Sequence, residues 1–239
     1  MSLRLTSDKR HLVAPNEGGV TKHKRERSQE VERPNADVAI TRFFKNTGCI
    51  VNYYPTFMNN GEAAKWFSSL ADNVNWGEER AVVFGKSFVV PRKMAYFGDQ
   101  SYAYAGSSKK GQGWPGWLTP LKDLVESHLG VTFNYALMNF YKDGTDHIGY
   151  HSDDEKDLIR DSVIASLSFG AQRDFMFQRR YAKGYVGKKE PVTKISLRDG
   201  SLLTMGGTTQ REYKHSLPKR AACKLPRINV TFRIVREAQ

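Results

Sequence analysis

The chain has almost no cysteine. Its 239 residues include two, Cys49 and Cys223, too few for a disulfide framework or a cysteine-ligated zinc site, so both are expected to be reduced thiols of an intracellular protein. It also lacks any apolar run of about 18 residues and any basic amphipathic helix, and membrane association is not expected. The N-terminus has no apolar segment of the secretory kind, so export is not expected either. No internal repeat is visible. Acid is the remaining shortage: 25 Asp and Glu stand against 37 Lys and Arg, a formal net charge of +12. Such a surplus attracts a polyanion, nucleic acid before an anionic membrane. Aromatics at 12% place rings close to these cations, a combination suited to stacking on bases beside phosphate contacts.

Residues 1–38 are polar and charged, centred on Thr21-Lys22-His23-Lys24-Arg25-Glu26-Arg27, and read as a basic disordered tail, a candidate nuclear address or phosphate-binding arm. Residues 39–239 read as a single domain. Apolar residues at three-residue spacing predict a helix over Asn59–Ala71, and Thr119 followed by Pro120 predicts a second, capped by Thr119, over Pro120–Leu129. Strands are expected at Ala81–Phe84, Phe88–Val90, Thr132–Tyr141, Val163–Phe169, Asp174–Phe177, Val192–Leu197, Ser201–Met205 and Ile228–Val235. Many short strands after a helical prelude predict a mainly β fold of the α+β class, a closed or sandwiched β core with helices on one side.

The stretch Asp146-His147-Ile148-Gly149-Tyr150-His151-Ser152-Asp153-Asp154-Glu155 concentrates four acids and two histidines in a basic chain. A solvated loop would account for it. His151 and Asp153, two apart, would project to one face of an extended segment and grip a cation together. A third ligand is at hand in His215, within Tyr213-Lys214-His215-Ser216-Leu217-Pro218. Two imidazoles and one carboxylate suit the open facial coordination of non-haem Fe(II) oxygenases; zinc accepts the same donors for hydrolysis, so the residues alone leave a hydrolase open.

Farther along, Arg227, Asn229, Thr231 and Arg233 alternate with Ile228, Val230 and Phe232, so one strand face is polar and the other apolar. Either this is an edge strand with a wet face, or its two arginines turn inward and require an anion. A dicarboxylate such as 2-oxoglutarate meets that requirement through bidentate guanidinium contacts, with Asn139 and Tyr141 as further donors. Between Gln178 and Lys194, the cations Arg179, Arg180, Lys183, Lys188, Lys189 and Lys194 face the single acid Glu190. This is either a solvated hairpin tip or a loop for a phosphate backbone.

Five blocks in order carry a family resemblance: Asn139-Phe140-Tyr141-Lys142-Asp143-Gly144, His151-Ser152-Asp153-Asp154-Glu155, Ser166-Leu167-Ser168-Phe169-Gly170-Ala171, His215-Ser216-Leu217-Pro218, and Arg227-Ile228-Asn229-Val230-Thr231-Phe232-Arg233. Together they resemble the AlkB family of Fe(II)/2-oxoglutarate dioxygenases, across roughly residues 80–235. Val83-Phe84-Gly85-Lys86 is similar to the intercalating finger of the members that repair duplex DNA. Pro91-Arg92-Lys93 and Gly98-Asp99 are similar to their substrate lid, and Tyr102 and Tyr104 to its base-stacking aromatics.

The resemblance implies a double-stranded β-helix, or jelly roll, over about 132–235, with a nucleotide-recognition lid over about 80–110. It implies that His151, Asp153 and His215 are the catalytic iron ligands. It further implies that 2-oxoglutarate meets Arg227 and Arg233 through its distal carboxylate, Asn139, Tyr141, Asn229 and Thr231 completing the pocket. The activity implied is oxidative dealkylation of 1-methyladenine and 3-methylcytosine in DNA, expected to be double-stranded, consuming dioxygen and releasing succinate and formaldehyde. The target base must then be flipped out. Phe84, with Gly85 and Lys86, would fill the gap unless Phe84 is a core aromatic; Tyr104 and His151 would sandwich the base, and Asp154 or Glu155 would meet its amino group. Asp146 and His147 keep a plain structural reading. An RNA demethylase of the same family and a non-catalytic nucleic-acid-binding module are the alternatives. A monomer inside the cell, in the nucleus, is expected.

Overall fold

Alternating apolar and polar residues mark many of the strands, and the strands build two facing sheets. In this computed structural model the described residues are 48–83, 85–104 and 107–236, with backbone alone for 81–83, 101–104 and 107–110. All of them belong to one unit, Asn35–Gln239; the expected tail over 1–38 lies outside the described residues.

In chain order the elements are β1 (Cys49–Tyr54), α1 (Asn60–Asn73), β2 (Gly77–Val83), β3 (Lys86–Gly98), β4 (Ser101–Tyr104), β5 (Ser107–Lys110) and α2 (Thr119–Leu129). There follow β6 (Tyr135–Tyr141), β7 (Ile148–His151), β8 (Ile164–Gly170), β9 (Arg173–Arg179), β10 (Thr193–Leu197) and β11 (Ser201–Gly207). A short α3 (Thr209–Glu212), β12 (Tyr213–Leu217) and β13 (Arg227–Arg233) complete the series. One sheet has the order β1-β11-β8-β13-β6-β3-β2, the other β10-β9-β12-β7, and β4-β5 form a separate hairpin. The eight strands β6 to β13 thus divide four and four between the sheets, all pairing antiparallel. This is the expected jelly roll. None of the described helices is long and apolar enough to cross a membrane.

The strand β13 lies at the centre of the larger sheet, between β8 and β6, and every one of its residues is buried. A wet edge strand is excluded. Ile228, Val230 and Phe232 join the core packed under α1 and α2, with Leu70, Leu121 and Val125. Full burial of such side chains contributes roughly 1.5–3 kcal/mol each. The opposite face of β13 looks into the space between the sheets, where Leu137, Phe175, Met205 and Leu217 form a second core.

Several sequence expectations shift by physical causes. The strand expected to stop at Val90 continues through Pro91 to Gly98. It does so because Glu78 and Arg80 of β2 face Lys93 and Val89, a register irregularity over the Pro91 segment. Proline has no N–H to give a ladder, and a bulge spares it that role. Helix α1 begins with a capping box that the apolar spacing did not show: the Asn59 side chain accepts from Glu62 N, and the Glu62 carboxylate accepts from Asn59 N. Thr119 is not a cap: Leu118 holds that position in α2, and the Thr119 hydroxyl donates back to Pro115 O at 3.4 Å.

Two buried devices place the loops around β7 and β12. Gly144 N donates to Cys223 O and Gly144 O accepts from Arg220 N; a Cβ at Gly144 would collide with the Arg220 carbonyl. Arg173, 1% exposed, donates to the carbonyls of Asp143, Asp146 and Pro218. It thereby ties the segment leading into β7 to the end of β12.

Candidate metal centre

β7 and β12 are neighbours, and their register sets His151 directly opposite His215. The imidazole centroids lie 4.3 Å apart. Asp153 follows β7, with its amide donating to Gln210 Oε1 at 3.0 Å, so α3 fixes the carboxylate from behind. Asp153 Oδ1 then sits 3.6 Å from His151 Nε2 and 3.8 Å from His215 Nε2. Three potential ligand atoms, one from each residue, lie within 4.8 Å of one another.

Their protonation states suit a cation. His151 Nδ1 is 2.9 Å from Gly149 O, a contact that requires the proton on Nδ1 and leaves the Nε2 lone pair facing Asp153. Burial, then the neighbouring His151, pushes His215 down to about 3, and its ring stacks on Phe175 at 5.2 Å. Burial lowers His151 too, with the Asp153 charge opposing. Burial alone would raise Asp153, but the Arg233 guanidinium, followed by the two imidazoles, outweighs it and holds the carboxyl below its ordinary range. Arg233 Nη2 donates to Asp153 Oδ2 at 2.9 Å, both side chains buried. The other oxygen, Oδ1, is buried without a hydrogen-bond partner. A buried carboxylate oxygen between two imidazole lone pairs, itself unpartnered, fits a divalent cation.

A pH effect follows. The folded protein keeps His215 neutral whereas the unfolded chain protonates it below about pH 6.5, so the unfolded state binds more protons as pH falls. Metal-free protein is expected to lose roughly 2 kcal/mol between pH 7 and pH 5 from His215, with His151 adding in the same direction. Thermal melting at both pH values, with chelator present, reads this; an unchanged Tm would contradict it.

From the triad a pocket runs along the inner face of β13, lined by Asn139, Tyr141, Arg227, Asn229, Thr231 and Arg233 among others. The two arginines stand at opposite ends of the strand, six residues or about 20 Å of chain apart. They do not converge on one carboxylate: Arg233 is engaged at the metal ligands. Arg227 lies over the Tyr141 ring at 5.4 Å and donates to Ser168 Oγ at 2.9 Å. Burial pushes Arg227 down to about 10, which still leaves it charged at neutral pH. Its Nε has no hydrogen-bond partner, and no carboxylate of the described residues neutralises it. This end of the pocket therefore demands an anion.

Other residues divide into donors and scaffold. Asn229 donates to Ser166 Oγ and Leu167 O and accepts from the Thr231 hydroxyl, so these two shape the pocket floor. Asn139 Oδ1 accepts from Arg92 Nε at 2.7 Å, which turns its amide NH2 toward the pocket. Arg92 carried no sign of this role in the sequence, where it reads as part of a lid; Arg173 and Gln210 were equally silent. No spacing rule would have found them.

The remaining candidates lie elsewhere. Asp154 and Glu155 line an adjoining cavity rather than the pocket along β13, and Asp154 Oδ2 receives Arg180 Nη1 at 3.0 Å. Arg179 is held by Glu190 and, at 3.6 Å, by Glu212. Lys183, Lys188 and Lys189 are exposed, as are Gly85 and Lys86. Asp146 accepts from Lys142 N, a loop-closing contact. Phe84 lies outside the described residues, and Tyr102 and Tyr104 are placed on β4 by backbone alone.

A sequence model of the 2OG-Fe(II) oxygenase superfamily matches residues 50–233. The chain is 40% identical over 186 residues to human "DNA oxidative demethylase ALKBH2", covering 75% of this chain and 71% of that one. It is 32% identical over 230 residues to the Arabidopsis thaliana protein of the same name, covering 86% of this chain and 73% of that one. To human "Alpha-ketoglutarate-dependent dioxygenase alkB homolog 3" it is 36% identical over 185 residues, 76% of this chain and 65% of the other. The chain belongs to the AlkB family of 2OG-Fe(II) oxygenases, and is a dioxygenase that uses Fe(II), 2-oxoglutarate and dioxygen.

Proposed function

We propose that this protein oxidatively removes methyl groups from 1-methyladenine and 3-methylcytosine in duplex DNA. The observation that carries the reading is the His151, Asp153 and His215 cluster heading an arginine-ended pocket, in a chain similar to proteins named DNA oxidative demethylases.

His151 Nε2, His215 Nε2 and an Asp153 oxygen would hold Fe(II). Bound there, the metal with its cosubstrate and dioxygen supplies the oxidising power to hydroxylate an N-methyl carbon. The chain's own work is placement. Arg233 keeps Asp153 ionised and aimed. Arg227 takes the distal carboxylate of 2-oxoglutarate, Asn139 and Tyr141 offer donors along its length, and Asn229 and Thr231 form the floor. Leu137, Ile148 and Leu217 keep water from the walls. The hydroxylated methyl then leaves as formaldehyde while 2-oxoglutarate ends as succinate and carbon dioxide.

A methyl group on the pairing edge of a base is inaccessible within a helix, so the base is flipped into the site. Phe84, which precedes Gly85 and Lys86 in the chain, fills the vacated stack. Tyr104 and His151 enclose the flipped base, with Tyr102 beside them. Asp154 and Glu155 give its cationic ring a negative neighbourhood. Lys183, Lys188 and Lys189 serve phosphates, as do Arg179 and Arg180 where their acidic partners yield. The protein acts as a monomer, as one domain over 39–239, and residues 1–38 direct it to the nucleus; a fluorescent fusion lacking them would then lose nuclear enrichment.

The test uses matched single- and double-stranded oligonucleotides carrying either base, with Fe(II) and 2-oxoglutarate, read by mass spectrometry. Demethylation of the duplex is expected. Phe84→Ala should lower duplex turnover roughly tenfold, the order of a lost base-stacking contact, with single-strand turnover near wild type. Equal effects on both substrates would favour a single-stranded DNA or RNA target.

A further inference from the structure

The loop between β9 and β10 ends in Gly184-Tyr185-Val186-Gly187, and Val186 is 100% exposed. A lone exposed apolar residue is ordinary. Here it crowns a braced structure. The rings of Tyr181 and Tyr185 stack at 4.5 Å with 27° between their planes. Tyr185 N donates to Ala182 O at 3.1 Å, and Glu190 N donates to the Tyr181 hydroxyl. Tyr185 Oη lies so close over Gly187 that a Cβ there would strike it. At the base, Glu190 accepts from Arg179 and from the Tyr213 hydroxyl, the latter at 2.9 Å. Arg180 reaches Asp154, the residue next to the metal ligand Asp153.

Two consequences follow from this bracing. The cations at the loop's root are spent on internal acids, whereas Lys183, Lys188 and Lys189 around the tip are exposed with no salt-bridge partner among the described residues. The Arg180 to Asp154 link also ties the loop's root to the residue next to the metal ligand Asp153. A polyanion held by lysines around an apolar, aromatic point offers that point its bases.

We propose that Tyr185 and Val186 form a base-contacting element of the nucleic-acid interface, Tyr185 stacking and Val186 wedging against bases outside the metal pocket, while Lys183, Lys188 and Lys189 hold the flanking phosphates. This rests on the nucleic-acid reading above. It assigns the loop a role separate from charge alone: the tip reads the faces of bases, and the lysines supply attraction.

The two contributions are separable by salt. Phosphate contacts release counterions and steepen the salt dependence of binding; apolar base contacts do not. Binding of the full chain to a methylated duplex is measured by fluorescence anisotropy across a sodium chloride series, for wild type, a Tyr185→Ser/Val186→Ser variant and a Lys183→Gln/Lys188→Gln/Lys189→Gln variant. All substituted side chains are at the surface, and circular dichroism checks that both variants fold. The tip variant is expected to bind about tenfold more weakly with the wild-type salt slope. The lysine variant should lose about two to three units of slope. Wild-type affinity in the tip variant, with wild type demethylating the same duplex, would overturn the inference while leaving the function intact. Absence of wild-type binding and demethylation on any methylated oligonucleotide would overturn both. A further arm uses phosphatidylserine vesicles: loss of vesicle binding in the tip variant with oligonucleotide affinity unchanged would make the tip a membrane element and sink the proposal.

Discussion

Replacing Asp153 by alanine is expected to abolish iron-dependent turnover and to destabilise the fold by about 3–5 kcal/mol. The first effect follows from its place between His151 and His215, where Asp153 supplies the cluster's carboxylate and its Oδ1 has no hydrogen-bond partner. The second follows from Arg233, which is 3% exposed and would lose the carboxylate it donates to at 2.9 Å, breaking a buried ion pair. The two are separable with Asp153→Asn. An amide oxygen still accepts from Arg233 and preserves volume, so more of the stability should remain while the metal site stays defective. Iron content, succinate formation and thermal unfolding of both variants check this. Turnover of Asp153→Ala above a tenth of wild type would show that the metal lies elsewhere.

The second large effect is at the other end of β13. Arg227 is 2% exposed, has no acid among the described residues to neutralise it, and its pKa is depressed by burial. Removing an arginine from a desolvated carboxylate costs 2–5 kcal/mol of binding, so Arg227→Met should raise the KM for 2-oxoglutarate roughly a hundredfold. Fold stability should change in the opposite sense, staying level or rising, because a buried charge without a partner is replaced by an apolar chain of similar length. Steady-state kinetics against 2-oxoglutarate and thermal melting of the cosubstrate-free protein give the two readouts. An unchanged KM would remove Arg227 from the pocket; a large loss of stability would mean that its bond to Ser168 outweighs its desolvation.

The sequence made the polar face of β13 legible because a period of two leaves no ambiguity about which side chains share a face. It did not reveal that the strand is central, since a half-polar strand can sit at an edge or inside, and only pairing on both sides by β8 and β6 decides. The jelly-roll strands with continuous apolar runs, such as β8 and β11, were visible. β7 and β12, which carry the histidines, were not: each is only four or five residues long and gives one inward position to a histidine, leaving too few apolar residues, Ile148 in one and Tyr213 and Leu217 in the other, for an alternation to show. Arg92, Arg173 and Gln210 are hidden for a different reason. Each acts by a hydrogen bond across the fold, to Asn139, to three loop carbonyls and to the Asp153 amide, and sequence spacing carries no information about partners that distant.

The acid-rich decapeptide separates in the same way. His151 and Asp153 face the pocket, Asp154 anchors Arg180 of the β9–β10 loop, and Asp146 closes its own turn. Charge density flagged the region, but topology distributes the charges among three different neighbours.

The most direct test of this account supplies isotopically heavy dioxygen to the purified protein with Fe(II), 2-oxoglutarate and a methylated duplex. A dioxygenase of this kind is predicted to place one heavy oxygen atom in succinate for each methyl removed, with His151→Ala forming none. Demethylation without labelled succinate, or loss of the methyl group with oxygen drawn only from water, would contradict the assignment and return the cluster to a hydrolytic metal site.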